Sequence, residues 1–277
     1  MNILPPFQNP EFLKKEQYRN SRNLAARATL HRRFSTAVIP WHKWVFQQLN
    51  LQPGSRILEC GCGPGWLWRN NLGALPPDCR VTLTDLSGGM VAEAQAALAG
   101  CGRNFHFGAA DIQELPFASN SFDRVIANHM LYHVPDGGRA LAEVRRVLRS
   151  GGRFYAATVG SGHMRELRQI AQKLFPGAAG DWLQMWSLDS GRSFQLENGA
   201  EQLAAVFSHV TLLLYEDSLE VTTVAPLITY LRSSSSMPDN AALAGEKEAQ
   251  LRRELQERID RDGAIHITKE TGLFVSW

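Results

Sequence analysis

Long apolar runs are missing from this 277-residue chain, and their absence argues against a membrane-spanning protein. No stretch reaches the roughly 18 consecutive apolar residues that a transmembrane helix needs. The first six residues also lack the basic segment and apolar core of a secretory signal peptide. From the sequence we therefore expect a cytoplasmic protein with no membrane span.

Net charge is also low, which argues against a role in binding nucleic acid. The chain has 29 lysines and arginines against 27 aspartates and glutamates, and no segment concentrates the basic residues. Proteins that coat nucleic acid need a basic surface to neutralise its phosphates. We therefore expect no nucleic-acid partner.

Cysteine is scarce, with four residues in the whole chain. The nearest pair, Cys60 and Cys62, lacks the C-x-x-C spacing of redox and zinc sites. We predict reduced thiols that pack as small apolar side chains, and no metal site. The remaining composition, 44% hydrophobic and 20% charged, suits one large α/β domain or one domain with a small cap.

The most informative segment that is present is 57–65, an apolar run that ends in Glu59 and is followed by Gly61, Gly63 and Gly65. This pattern predicts a strand, a tight turn and the start of a helix. Glycine lets a ligand approach the backbone closely, and the helix start offers unpaired N–H groups. The segment indicates a nucleotide-type cofactor, although a glycine-rich turn that binds nothing would show the same pattern.

The spacing of the glycines favours S-adenosylmethionine over a dinucleotide. The dinucleotide fingerprint is G-x-G-x-x-G, and this chain has Trp66 where the third glycine would stand. The bulky indole argues against a pyrophosphate turn, while Glu59 suits a ligand with an amino-bearing or positive end. S-adenosylmethionine has a sulfonium and an α-amino group and no phosphate.

Strand and helix patterns alternate after this turn, as in a Rossmann-like, doubly wound α/β fold with a mostly parallel sheet. The predicted strands are 56–60, 80–84, 104–107, 122–127, 153–159, 209–215, 264–268 and 273–277. Because the last two are close in sequence, we expect them to add an antiparallel edge to the sheet.

We divide the chain into three parts. Residues 1–50 are predicted to form an N-terminal helical cap, and 51–160 the cofactor-binding core. Residues 161–277 are predicted to complete the sheet and to carry a substrate-side insert at about 176–195, which joins the cap.

Acids follow two of the predicted strands, at the edge where parallel sheets bind ligands. Asp85 ends the second strand and Asp111 follows the third. The first acid stands where such sheets hold ribose hydroxyls, and the second can accept from an adenine amino group beside Ile112. The alternatives are a helix cap for Asp85 and a turn-forming role for Asp111.

The loop after the fourth strand, 128–136, carries two histidines and a tyrosine. Histidine is the side chain best placed to take a proton near neutral pH, so His133, His129 and Tyr132 are candidate catalytic residues. Each histidine has the alternative role of a hydrogen-bonded residue that shapes the loop.

In order along the chain, these segments resemble the class I S-adenosylmethionine-dependent methyltransferases. Within that class they are most similar to the methyltransferase type 11 group, which includes enzymes of ubiquinone and menaquinone biosynthesis. The resemblance is carried by 58–65, 84–87 with Met90, 110–117, 122–136 and 148–152. It implies a seven-stranded sheet whose last strand pair is antiparallel.

The resemblance also implies roles by position. Glu59 and the glycine turn would hold the methionine part of the cofactor, Asp85 the ribose, and Asp111 the edge of the adenine. S-adenosylhomocysteine would be the product. The residues expected to contact the cofactor are Glu59, Gly61, Cys62, Gly63, Gly65, Asp85, Leu86, Met90, Asp111, Ile112 and Asn128.

Two features depart from common patterns of these enzymes. Trp66 and Trp68 follow the turn where many relatives have small or β-branched residues, so these rings either crowd the methionine end or pack under the sheet. The motif Asn-Pro-Pro-Tyr of enzymes that methylate amino groups of DNA is replaced by the sequence 128–131, which argues against base methylation.

The expected acceptor of the methyl group is a small aromatic or hydrophobic molecule, attacked by in-line displacement. Aromatic residues are concentrated outside the predicted core, and Tyr18, Trp41, Trp182 and Trp186 are candidates for binding it. The alternative is that these rings only pack the flanking helices against the core. An NAD-type oxidoreductase and a cofactor-binding protein without transfer activity are the alternative functions, and monomer and homodimer both stay open.

Overall fold

The computed structural model describes residues 4–174, 193–234 and 243–277. Within these ranges the strands are β1 Arg56–Cys60, β2 Arg80–Asp85, β3 Asn104–Ala109, β4 Phe122–Asn128, β5 Leu148–Val159, β6 Val210–Leu214, β7 Ser218–Val221, β8 Ile265–Thr268 and β9 Thr271–Ser276. One sheet has seven strands in the order β3-β2-β1-β4-β5-β9-β6, and β7 and β8 form a separate pair.

The main sheet is parallel from β3 to β5. The last strand in the chain, β9, runs antiparallel to both of its neighbours, β5 and β6. The predicted seven-stranded, mostly parallel sheet with an antiparallel last strand is therefore confirmed.

Of the two late strands that were expected to join the sheet, only β9 does so. Strand β8 lies outside the main sheet and pairs with β7, with Val221 opposite Ile265, and β6 is the edge strand beside β9. The alternating apolar residues Ile265 and Ile267 are buried in a cluster with residues of β7 and the surrounding helices. Burial of that face holds β8 away from the sheet that β9 enters two residues later.

The helices are α1 Pro10–Phe12, α2 Arg22–Phe34, α3 Trp41–Gln48, α4 Trp66–Arg69, α5 Gly88–Leu98, α6 Gly137–Val147, α7 Arg165–Leu174, α8 Gly199–Ala204, α9 Val224–Ser233 and α10 Glu246–Asp262. Two begin at side-chain caps: the Ser87 hydroxyl accepts from the backbone N–H of Met90, and the Asp136 carboxylate accepts from that of Arg139. Such caps satisfy N–H groups that the first turn of a helix leaves open.

A second hydrophobic core lies beside the main sheet. It joins α2, α7, α9 and α10 to the β7–β8 pair, with Leu30, Leu227 and Leu251 among its fully buried side chains. This core holds α2 and α9 in place, and both helices contribute side chains to the cavity described below.

All four cysteines are unpaired, as predicted, and burial raises the pKa of Cys60 to about 12. In the described part of the chain, no helix is long and apolar enough to cross a membrane. The division of the chain into cap, core and completing segment stays a prediction, and most of the insert at 176–195 lies outside the described residues.

Candidate functional site

A cavity of about 820 Å³ lies at the carboxyl ends of β1, β2 and β4. One side is formed by the loops that follow these strands, and the other by side chains of α2, α9 and the connection after β8. A volume of this size is within the range of small-molecule and cofactor sites. The cavity is therefore placed where parallel sheets bind their ligands.

The turn between β1 and α4 requires glycine at its alternating positions. Gly61, Gly63 and Gly65 all have positive φ angles, of 70°, 52° and 73°. A Cβ atom on Gly61 would lie 2.7 Å from Cγ of Met130, and one on Gly65 would lie 3.3 Å from Cβ of Ala94. Both the backbone conformation and the packing exclude larger residues, and the turn borders the cavity.

Asp85 connects this turn to the end of β2. Its carboxylate accepts from the backbone N–H of Gly63 at 2.9 Å and from that of Ser87 at 2.8 Å. Burial raises the pKa of Asp85, while these two hydrogen bonds act in the opposite direction. A carboxylate has further lone pairs with which it can accept from a pair of hydroxyls.

Glu59 is buried at the end of β1, with only 1% of its surface exposed. The indole Nε1 of Trp68 donates to Glu59 Oε2 at 2.6 Å. Burial, and to a smaller extent the negative charge of Asp85, raises the pKa of Glu59 to about 8. Trp68 therefore packs under the sheet and holds the Glu59 carboxyl group, whereas Trp66 borders the cavity.

The loops after β2 and β3 complete this side of the cavity. Leu86, Met90, Asp111 and Ile112 all line it, and the Met90 and Ile112 side chains are buried. The Asp111 carboxylate accepts from the backbone N–H and the side-chain amide of Gln113. Two apolar side chains beside an acid suit a flat ring with an amino edge.

Residues 58–156 match the methyltransferase type 11 family, described as a methyltransferase domain. The chain carries a class I, type 11 methyltransferase domain. This domain was expected from the order of its motifs, and the match confirms that resemblance.

Among similar curated proteins, a malonyl-[acyl-carrier protein] O-methyltransferase of Pseudescherichia vulneris is 39% identical over 119 residues, which cover 42% of this chain and 43% of that protein. The ubiquinone/menaquinone biosynthesis C-methyltransferase UbiE of Bordetella avium is 31% identical over 142 residues, 51% of this chain and 52% of that protein. The chain thus spans about half the length of the curated relatives it matches.

Solved structures show the same fold. A methyltransferase-like protein of Bacillus halodurans has a TM-score of 0.57 at 14% identity, over 85% of this chain and 97% of its own. Phosphoethanolamine N-methyltransferase 2 of Haemonchus contortus has a TM-score of 0.59 at 16% identity, over 99% of this chain and 60% of its own.

Asn128 lies at the end of β4, beside a group of aromatic side chains that we call the aromatic wall: Trp41, Trp44, His129 and Tyr215. Trp41 Nε1 donates to the Asn128 side-chain oxygen at 3.2 Å. The Trp41 ring lies 4.9 Å from the His129 ring, 5.4 Å from Trp44 and 5.0 Å from Tyr215, between ring centroids. The predicted acceptor residue Trp41 therefore borders the cavity next to the loop that carries the candidate bases.

His133 has both ring nitrogens occupied. Its Nδ1 donates to the carbonyl oxygen of Phe7 at 2.8 Å, and its Nε2 accepts from the Tyr18 hydroxyl at 2.9 Å. Burial lowers the pKa of His133 to about 4. Because both nitrogens have partners, the arrangement argues against His133 as a base and favours the alternative role, in which it holds the N-terminal segment against the domain.

His129 and Tyr132 both line the cavity. The backbone at His129 has a φ of 58°, a conformation that is uncommon outside glycine and that aims its ring at Trp41. Burial, followed by the charges of Lys269 and His42, lowers the pKa of His129 to about 3. Burial raises the pKa of Tyr132, whose ring packs against His133 at 4.5 Å. His129 stays a candidate base by its position at the cavity, while its low pKa makes it a weak one.

The cavity residues that the sequence-based prediction did not name include three buried charged ones. Arg27 comes from α2, and the buried ion pair of Lys269 with Asp217 comes from the second core. None belongs to a recognisable motif, since they lie far apart in sequence and on elements outside the type 11 domain. Two predicted acceptor residues, Trp182 and Trp186, lie outside the described residues.

Proposed function

We propose that this protein transfers a methyl group from S-adenosylmethionine to a small acceptor molecule. The observation that carries the proposal is the convergence of the glycine turn, Asp85 and Asp111 on one cavity at three successive strand ends. The family match of residues 58–156 and the methyltransferase relatives support it.

The residues present fit this cofactor. Asp85 would accept hydrogen bonds from the two ribose hydroxyls. Asp111 would accept one from the adenine amino group, beside the buried side chains of Met90 and Ile112. The glycine turn borders the cavity, and the methionine chain would lie along its backbone. Glu59 and the Asn128 carbonyl would face its ammonium group.

When bound, S-adenosylmethionine supplies an already activated methyl group, which is transferred by in-line displacement. The protein contributes position and the exclusion of water. Trp41 and Tyr215 would hold the acceptor against the end of β4, and His129 would take a proton where the attacking atom carries one. The aromatic wall supports a small aromatic or hydrophobic acceptor.

Binding measurements test the cofactor first. Isothermal titration should show that the protein binds S-adenosylmethionine and does not bind NAD. Asp85→Ala should abolish most of the binding of S-adenosylmethionine, because a buried acceptor for two hydroxyls is lost. Glu114→Ala is the matched control, since Glu114 forms an exposed ion pair outside the cavity. Unchanged binding in Asp85→Ala, or preferential binding of NAD, would refute the assignment.

Turnover must be measured separately, because the fold alone does not establish transfer. The [4+2]-cyclase SpnF has the same fold, with a TM-score of 0.52 at 19% identity. Formation of S-adenosylhomocysteine in the presence of an acceptor library tests the transfer step. A protein that binds the cofactor yet yields no product with any acceptor would be a binding protein rather than an enzyme.

A further inference from the structure

Arg27 is a buried cation that has no acidic partner among the described residues. Its side chain projects from α2 into the cavity wall, and the residue is 7% exposed. Its Nη1 donates to the carbonyl oxygen of Ser233 at 2.7 Å and its Nη2 to the Tyr18 hydroxyl at 3.2 Å. In the part of the chain that the structure describes, no carboxylate forms an ion pair with it. Arginine is rarely buried without a negative partner.

A chain of hydrogen bonds holds this guanidinium in place. Because His133 Nδ1 donates to Phe7, the neutral His133 ring must accept at Nε2 from the Tyr18 hydroxyl. The Tyr18 oxygen then accepts from Arg27. The guanidinium is therefore oriented by Ser233, Tyr18 and His133, which come from separate parts of the fold. Such fixed orientation is typical of a side chain that binds a ligand.

The predicted cofactor residues provide no cation of their own. They are acids, glycines and apolar residues, and most of the donors of the glycine turn are already used. The N–H groups of Cys62, Gly63 and Gly65 donate to Thr84, Asp85 and Cys62, respectively. A carboxylate in this cavity therefore needs a donor from elsewhere in the chain.

Lys269 is a second buried cation at the cavity wall, and it is already paired with an acid. Lys269 is paired with Asp217, and Asp217 also accepts from the Ser35 hydroxyl at 2.7 Å. Its charge is balanced before any ligand arrives. The Arg27 guanidinium, by contrast, has five N–H donors, and the acceptors of the two described hydrogen bonds are both neutral.

We propose that Arg27 binds a carboxylate group of a ligand in this cavity, and that Tyr18 and His133 are positioning residues for it. The planar guanidinium can donate two parallel hydrogen bonds to a carboxylate. The carboxylate has two possible sources. One is the methionine end of S-adenosylmethionine, which rests on the proposed function, and the other is the acceptor.

Isothermal titration with three probes separates these sources. S-Adenosylhomocysteine carries the methionine-type carboxylate, and 5′-methylthioadenosine is the same nucleoside thioether without it. Benzoate and its neutral analogue benzamide, titrated into protein saturated with S-adenosylhomocysteine, test an acceptor carboxylate. The proteins are the full chain, Arg27→Gln, Arg27→Lys and Tyr18→Phe, with Arg33→Gln as a matched control from an exposed position on the same helix.

If the carboxylate belongs to the cofactor, Arg27→Gln should weaken S-adenosylhomocysteine about tenfold to a hundredfold and leave 5′-methylthioadenosine unchanged. If it belongs to the acceptor, Arg27→Gln should remove the preference for benzoate over benzamide and leave both nucleosides unchanged. Arg27→Lys and Tyr18→Phe should give intermediate losses with the same selectivity, and Arg33→Gln should match the parent protein.

The proposal is overturned if Arg27→Gln changes none of these affinities, or if it weakens 5′-methylthioadenosine as much as S-adenosylhomocysteine. Where Arg27→Gln fails to fold, as judged by circular dichroism, Arg27→Lys carries the same comparison. A parent protein that binds neither nucleoside would refute the proposed function, and benzoate and benzamide, titrated into the free protein, would then decide the role of Arg27 alone.

Discussion

The buried carboxyl group of Glu59 should make the stability of this protein fall as the pH rises. Its oxygen accepts from Trp68 Nε1, and burial raises its pKa from an ordinary value of 4.5 to about 8. In the folded protein this group keeps its proton up to about pH 8, whereas the unfolded chain loses it near pH 4.5. Between these values the unfolded state binds fewer protons, so stability decreases with increasing pH.

The size of the effect follows from the same two values. Below pH 4.5 the group costs nothing, and by pH 7 the protein has lost about 3 kcal/mol, at about 1.4 kcal/mol for each pH unit. Glu59→Gln removes this cost because a glutamine is never ionised. It also keeps an oxygen that can accept from the Trp68 indole, so the packing is conserved.

Urea denaturation of the parent protein and Glu59→Gln at intervals from pH 4.5 to 8 measures the difference directly. The buried histidines, such as His133 with its pKa lowered to about 4, act in the opposite direction, but they are common to both proteins and cancel. The stability advantage of Glu59→Gln should grow with pH, and the exposed replacement Glu201→Gln should show no such trend. An advantage that stays constant across this range would refute the buried, protonated state of Glu59.

Further predictions concern the ion pair, the candidate base and the aromatic wall. Lys269→Met should cost about 3–5 kcal/mol of unfolding free energy because it strands the buried Asp217, and the double variant with Asp217→Asn should recover most of that loss in urea titrations. His129→Gln should lower kcat by about 10²-fold or more with cofactor affinity unchanged, and an unaltered kcat would show that no base acts there. Trp41→Ala should raise KM for the acceptor several-fold, because a lost ring contact costs about 1 kcal/mol of binding free energy. Trp277→Ala, which changes a ring outside the cavity, should leave KM unchanged.

The cofactor side of the cavity could be predicted from the sequence because its chemistry is local. A strand that ends at Glu59, a turn that needs glycine at alternating positions, and an acid after each of the next two strands are all read within a few residues. The parallel order of the strands then brings these segments to one edge. The roles of the individual residues in binding a cofactor stay predictions that titration can test.

The different surroundings of the two histidines in the loop after β4 could not be predicted from the sequence. His129 and His133 are four residues apart in one segment, and their sequence context does not distinguish them. Contacts with Phe7 and Tyr18, more than a hundred residues earlier, occupy both nitrogens of His133 and leave His129 facing the cavity. Likewise, only packing shows that Trp68 lies under the sheet as the partner of Glu59.

The Rossmann-like core and the glycine turn at its edge could be predicted from the sequence, because backbone turns and strand ends depend on nearby residues. Only the fold shows that β8 lies outside the main sheet, that both ring nitrogens of His133 have partners, and that no carboxylate among the described residues pairs with the buried Arg27. Each of these features depends on contacts between segments that are distant in the chain. Neither composition nor the spacing of residues predicts such contacts.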